Sequence, residues 1–148
     1  DFSDESRSTC LDLIFSLSVA PQLPDGLVFV HNYPVCQSAL AKIGKDQAGN
    51  TVARRFEVFL NGVELANGYC ELVDPVEQKS RFDADAVLRQ AMKKTTMPVD
   101  TKLLAAMESG LPDCAGVALG VDRLLMQLLG IDDISHVMSF GHIGHSRE

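Results

Sequence analysis

Apolar residues at 121, 124, 125, 128 and 129 recur at the spacing of a helix that lays one face on a core, and Gly130 stands where such a helix would terminate. Gly116-Val-Ala-Leu-Gly120, just before it, reads as a short apolar strand turning into that helix through a glycine. Upstream, residues 4–18 predict a helix ended by Pro21 and Pro24, and Leu27-Val-Phe-Val-His31 predicts a short strand stopped at Pro34. Ser38 to Ile43 reads as a helical turn leading into a polar loop, Gly44 to Asn50. Arg55–Leu60 and Val63–Ala66 flank Asn61-Gly62, the pair that best supplies positive φ at both positions of a two-residue hairpin turn.

Asp74-Pro75-Val76-Glu77 opens a helix with a capping carboxylate, proline at the first helical position and an acid three residues after the cap; it should run to about Lys94. Met97-Pro98 interrupts the chain, Asp100 caps a short helix ending at Gly110, and Ile134 to Phe140 reads as a last extended segment. The alternation of these patterns predicts an α+β fold, an antiparallel sheet flanked by helices.

Hairpin geometry brings the first candidate chemistry. A two-residue turn pairs Leu60 with Val63, Phe59 with Glu64 and Glu57 with Ala66, so Glu57 and Glu64 share one face. Two neighbouring carboxylates suit Mg²⁺ bridging phosphate oxygens, or else form a solvated acidic face. Asn67, Tyr69 and Glu71 also share a face, but with parity opposite to Glu64. A bulge at Ala66-Asn67-Gly68 would bring both sets into one site. There Glu71 could bind an ammonium group, Asn67 orient polar groups and Tyr69 wall an aliphatic stem.

The second candidate is Arg123, off the apolar stripe in the first turn of the last helix. A guanidinium at a helix N-terminus, beside a glycine that admits close approach, suits a phosphate. Pairing with Asp122 or Asp113 is the structural alternative.

Composition narrows the class. The 148 residues are 46% hydrophobic and 22% charged, enough for one domain with a core. A net charge of −7 argues against a broad nucleic-acid surface while leaving a nucleotide open. Cys10, Cys36, Cys70 and Cys114 are widely spaced without a C-x-x-C pair, which fits reduced thiols in a cytoplasmic protein. The opening Asp-Phe-Ser-Asp-Glu does not read as a signal peptide, and no apolar run is long enough to span a membrane.

The string Gly-Val-Ala-Leu-Gly-Val-Asp-Arg-Leu resembles motif 3 of class II aminoacyl-tRNA synthetases. Residues 54–72, Arg-Arg-Phe-Glu-Val-Phe-Leu-Asn-Gly-Val-Glu-Leu-Ala-Asn-Gly-Tyr-Cys-Glu-Leu, resemble their lysine-type core. The match runs in order from residue 28 to 140. His31-Asn-Tyr-Pro-Val-Cys-Gln-Ser and Gly110-Leu-Pro-Asp-Cys-Ala-Gly-Val-Ala118 further resemble the elongation factor P–(R)-β-lysine ligases, a truncated lysyl-tRNA synthetase-like group. Lysyl-tRNA synthetases usually carry glycine where Ala118 stands, and one methyl can shift substrate preference.

The resemblance implies an ATP-dependent ligase that activates (R)-β-lysine or lysine as its adenylate and transfers it to a lysine side chain of elongation factor P. It implies that Glu57, Glu64, Leu65, Gly120 and Arg123 serve ATP, with Glu57 and Glu64 holding Mg²⁺ and with Arg123 and Glu64 in catalytic roles. Asn67, Tyr69, Glu71, Gly116 and Ala118 would line the amino-acid pocket. Residues 1–148 are expected to be the C-terminal part of one catalytic domain, with motif 3 at 116–129, motifs 1 and 2 absent, and the complete protein a homodimer. A lysyl-tRNA synthetase-like core charging RNA, and a noncatalytic module retaining the fold, are the alternatives; tRNA is the less favoured acceptor. His142-Ile-Gly-His145 spells the class I nucleotide-binding tetrapeptide but lacks the βαβ unit behind it.

Overall fold

The computed structural model describes residues 6–140. A five-stranded antiparallel sheet forms its centre: β1 (Leu27–Tyr33), β2 (Ile43–Lys45), β3 (Thr51–Leu60), β4 (Val63–Cys70) and β5 (Ala115–Leu119), in the order β1-β3-β4-β5 with β2 paired to the start of β3. Four helices, α1 (Arg7–Ile14), α2 (Pro75–Ala91), α3 (Thr101–Glu108) and α4 (Val121–Leu129), accompany it, so the α+β expectation holds.

Local chemistry explains most boundaries. Ser6 caps α1 by accepting from the Thr9 N–H, and the helix continues through a π turn at Phe15–Val19 and a 3-10 turn at Ala20–Gln22 before Pro24. Asp74 caps α2 through Val76 N and Glu77 N, and Asp100 caps α3 through Lys102 N and Leu103 N. Asn61 (φ 50°) and Gly62 (φ 80°) make the expected turn. The Asn61 side chain accepts from Gly26 N at 2.8 Å, tying the hairpin tip to the start of β1.

Several expectations need correction. Residues 38–43 are not a helical turn: the turn lies earlier, at Val35–Gln37, while Ile43 to Lys45 pair with β3. That strand is too short for alternation to reveal it. Helix α2 ends at Ala91, three residues early, and residues 134–136 form a 3-10 turn rather than an extended segment. The 142–145 tetrapeptide lies outside the described residues.

The largest correction concerns α4. Its limits and its left-handed Gly130 cap are as expected, but its apolar stripe is not packed on a core. Val121 is 66% exposed and Leu128 70%; only Leu124, Met126 and Gln127 are half-buried. Burial concentrates instead around Tyr33, Ala41 and Ala53, with Val30, Ile43 and Tyr69 against them. No helix among the described residues is long and apolar enough to cross a membrane.

Candidate active site

One face of the sheet gathers the singled-out side chains. Along β3, residues 55, 57 and 59 point the same way, and their partners across the ladder share that face: Tyr69 opposite Arg55, Asn67 opposite Glu57, Glu64 opposite Phe59. On the far side of β4, Asn67 pairs with Ala118 and Tyr69 with Gly116.

This arrangement depends on a bulge. The register shifts between Val58 and Phe59, so that Ala66 pairs with Val58 while Glu64 pairs with Phe59, and Leu65 is the extra residue. The expected pairing of Glu57 with Ala66 is therefore corrected to Asn67, and the bulge sits one residue before the predicted 66–68. Its effect on parity is the predicted one. Leu65 is only 5% exposed, so turning it away from the site buries its side chain. Its carbonyl accepts the Gly120 N–H at 2.8 Å, which fixes the start of α4 to the bulge.

Glu57 is buried and ion-paired with Arg55. Asn67 Nδ2 donates to the same oxygen, Glu57 Oε1, at 3.2 Å, so neither bond engages Oε2. Arg55 also donates to Asn67 Oδ1 at 3.4 Å and to the Gln37 carbonyl at 3.2 Å, and its guanidinium stacks 4.5 Å from the centre of the Tyr33 ring. Burial, and then the adjoining Glu57 carboxylate, push the Tyr33 phenol well above its usual range. Its buried hydroxyl has no hydrogen-bond partner of good geometry among the described residues.

Three cavities border this network. Glu57, Glu64, Tyr33 and Phe59 line one of about 490 Å³, roofed by Asp12, Phe15 and other residues of the α1 region. Asn67, Tyr69, Glu71, Gly116 and Ala118 line a second of about 360 Å³, walled by Leu40. Arg123 borders a third of about 500 Å³ with Val63, Met126, Asp132 and Asp133. The Glu57–Asn67 bond joins the first to the second. Glu64 joins the first to the third, because its side chain lines one while its carbonyl accepts from Arg123 Nη1 at 3.0 Å. Asp113, the alternative partner for Arg123, is bound by Lys42 at 2.9 Å instead.

Glu71 lies across the second cavity against Gly116, where the added Cβ of any larger residue would collide with its carboxylate. Gly68 is confined similarly, by the Phe56 ring and by the Gly116 carbonyl, 2.8 Å from where a Cβ would stand. Gly120 is looser: a Cβ there would meet Arg123 Cδ and the Leu65 carbonyl at 3.5 Å.

Every sequence-predicted site residue thus borders one of the three cavities except Leu65 and Gly120, which meet each other at the bulge. No cluster of three or more metal-ligating side chains occurs among the described residues. Three participants escaped the sequence reading. Arg55 was legible, since it shares parity with Glu57. Tyr33 was not, because a register shift after His31, with Asn32 at φ 60°, sets which way it points. Gln37 enters through its backbone carbonyl, which no side-chain pattern reveals.

An antiparallel sheet carrying paired acids on one face and a strand–glycine–helix unit with an arginine in the first turn defines a class II synthetase-type core. The model of the class II tRNA synthetases (D, K and N) matches residues 15–144, and the chain belongs to that family. Among individual relatives it is similar to the elongation factor P–(R)-β-lysine ligase of Vibrio cholerae, 49% identical over 93% of this chain and 42% of the relative. The ligases of the same name from Sodalis glossinidius and Proteus mirabilis are 46% and 47% identical over the same shares. The chain therefore spans 42% of the length of these relatives.

Proposed function

We propose that this chain supplies the later part of the catalytic domain of an ATP-dependent ligase that activates (R)-β-lysine, or lysine, as an adenylate and passes it to a lysine side chain of elongation factor P. The observation that carries the proposal is the single sheet face on which Glu57 and Glu64 adjoin Asn67, Tyr69 and Glu71, with Arg123 anchored on the backbone of Glu64.

In this reading the diamine's ammonium meets the Glu71 carboxylate, its stem lies along Tyr69, and Gly116 leaves room for Glu71 to cross the pocket floor. Ala118, one methyl larger than glycine, biases the pocket between amino acids whose amino group differs by one carbon. The substrate carboxylate attacks the α-phosphorus of ATP, the α–β bridging bond breaks and pyrophosphate leaves. Arg123 holds phosphate oxygens at the positive end of α4, beside Gly120 and Leu65. Among the described residues it makes no ion pair, and its bond goes to a carbonyl rather than a carboxylate.

Glu57 and Glu64 fit Mg²⁺, since both are hard oxygen donors on one cavity, the Arg55 and Asn67 bonds to Glu57 fall on Oε1, and the buried Tyr33 hydroxyl adds a polar group to the same wall. Bound there, the ion would neutralise phosphate charge. Arg55 and Asn67 hold the Glu57 side chain in place through Oε1. The chemistry then needs positioning and charge rather than a protein nucleophile. A cytoplasmic location and a homodimeric complete protein go with this reading.

Labelled amino acid offered together with elongation factor P and bulk tRNA tests it. Label on elongation factor P is expected. Label on tRNA would move the assignment to a lysyl-tRNA synthetase-like core, and label on neither would favour a noncatalytic module.

A further inference from the structure

The amino-acid cavity has one wall that no strand supplies. Leu40 closes it from the segment 38–41, which lies between the Val35–Gln37 turn and β2 and carries Ala39 at φ 46°, an uncommon conformation for a residue with a side chain. The Leu40 carbonyl accepts from Leu72 N at 3.1 Å, and Ala41 forms an isolated bridge with Glu71, the proposed ammonium ligand.

The segment closes into a turn through Ala41 N–H on the Ser38 carbonyl at 2.7 Å, and one side chain from another element grips that turn from outside. Arg81, on α2, donates from Nη1 to the Ala39 carbonyl at 2.9 Å, the Ala41 carbonyl at 2.9 Å and Ser38 Oγ at 3.5 Å. Its Nη2 is bound to Glu77 at 2.6 Å, one turn earlier on the same helix. The guanidinium side chain is only 20% exposed, so these bonds are partly shielded from water. Two carbonyls flanking Leu40 therefore converge on one nitrogen, while a second nitrogen takes an acid that keeps the guanidinium plane fixed. A lysine ammonium, a point donor on a flexible stem, cannot reproduce that fork.

We propose that Arg81 is a positioning residue for substrate selection: through the 38–41 carbonyls it holds Leu40 against the amino-acid cavity and Ala41 against Glu71. It touches no substrate. The inference rests on the adenylation reading, and it assigns to α2 a role in amino-acid recognition that the site face does not contain.

The test is ATP–pyrophosphate exchange by the full protein carrying this chain, with KM for (R)-β-lysine, KM for ATP and kcat measured separately, and with calorimetric binding of the amino acid as a second readout. Arg81→Lys is expected to raise the amino-acid KM by about tenfold, on the order of a lost methylene contact in a pocket, with the KM for ATP and kcat within about twofold of the unmodified protein. Leu40→Ala should give the same split. The double variant should be little worse than the larger single effect, because both act through one wall. Glu77→Gln, which loosens the guanidinium without removing it, should give a smaller shift of the same kind and keeps the test open if Arg81→Lys does not fold.

An unchanged amino-acid KM in Arg81→Lys and Glu77→Gln, or equal losses in both KM values and kcat, would overturn the role of Arg81 while leaving adenylation intact. Absence of exchange in the unmodified protein would instead overturn the reading on which it rests.

Discussion

Arg123 is exposed and meets the protein through one backbone carbonyl, so its removal takes little from the fold. Arg123→Ala should lower adenylate formation by on the order of 100-fold or more while circular dichroism and thermal midpoint stay near those of the parent. Exchange at the parental rate would remove Arg123 from the phosphate site. Glu71 and Gly116 form a second residue-scale case. Glu71→Ala should raise the amino-acid KM, and Gly116→Ala should do the same by forcing the carboxylate aside. Since both act on one carboxylate, their effects should be strongly non-additive, and simple additivity in KM would contradict the packing described here. Charge type and face were legible at this scale, because Asn67, Tyr69 and Glu71 alternate along one run and the Asn61-Gly62 turn sets Glu57 and Glu64 on a shared hairpin face. The partners of those groups were less so: Tyr33 and Gln37 arrive from turns whose direction depends on tertiary packing.

Among elements, capping and turn chemistry predicted most accurately. Asn61-Gly62, Asp74, Asp100 and Gly130 each do what their residue types require, because those requirements are local. Asp74→Ala removes the acceptor for two N–H groups at the start of α2 and should cost about 1 kcal/mol in urea unfolding, with no change in the adenylation rate at saturating substrates. A cost near zero would mean that α2 is held by Arg81 and tertiary contacts alone. Parity requires a bulge in β4, and it falls at Leu65, one residue before the 66–68 segment that backbone tolerance favours. Backbone tolerance at Asn67 and Gly68 suggested the position; the burial of Leu65 decided it, and a burial gain is not local information. Strand β2 escaped for a related reason, since three residues pair only because β3 is already in place.

For the whole molecule, the periodicity of α4 showed which face is apolar but not whether anything covers it. Among the described residues that stripe is exposed except at half-buried Leu124, and Leu27, Phe29, Val117 and Leu119 are exposed on the two outer strands of the sheet. So much uncovered apolar surface should bind a hydrophobic dye and drive self-association of this chain by itself. Leu128→Glu should reduce both, and a parent chain that elutes as a monomer without binding dye would contradict the exposed stripe. The relation of site to scaffold is simpler at this scale: one sheet face carries the acids and the amide, and a glycine-started helix brings the arginine to the backbone of one acid. The measurement that tests the adenylation account most directly is ATP–pyrophosphate exchange by the full protein carrying this chain, with (R)-β-lysine and α-lysine offered separately. Exchange that depends on the amino acid and favours (R)-β-lysine is the predicted result; exchange supported by neither amino acid would contradict it.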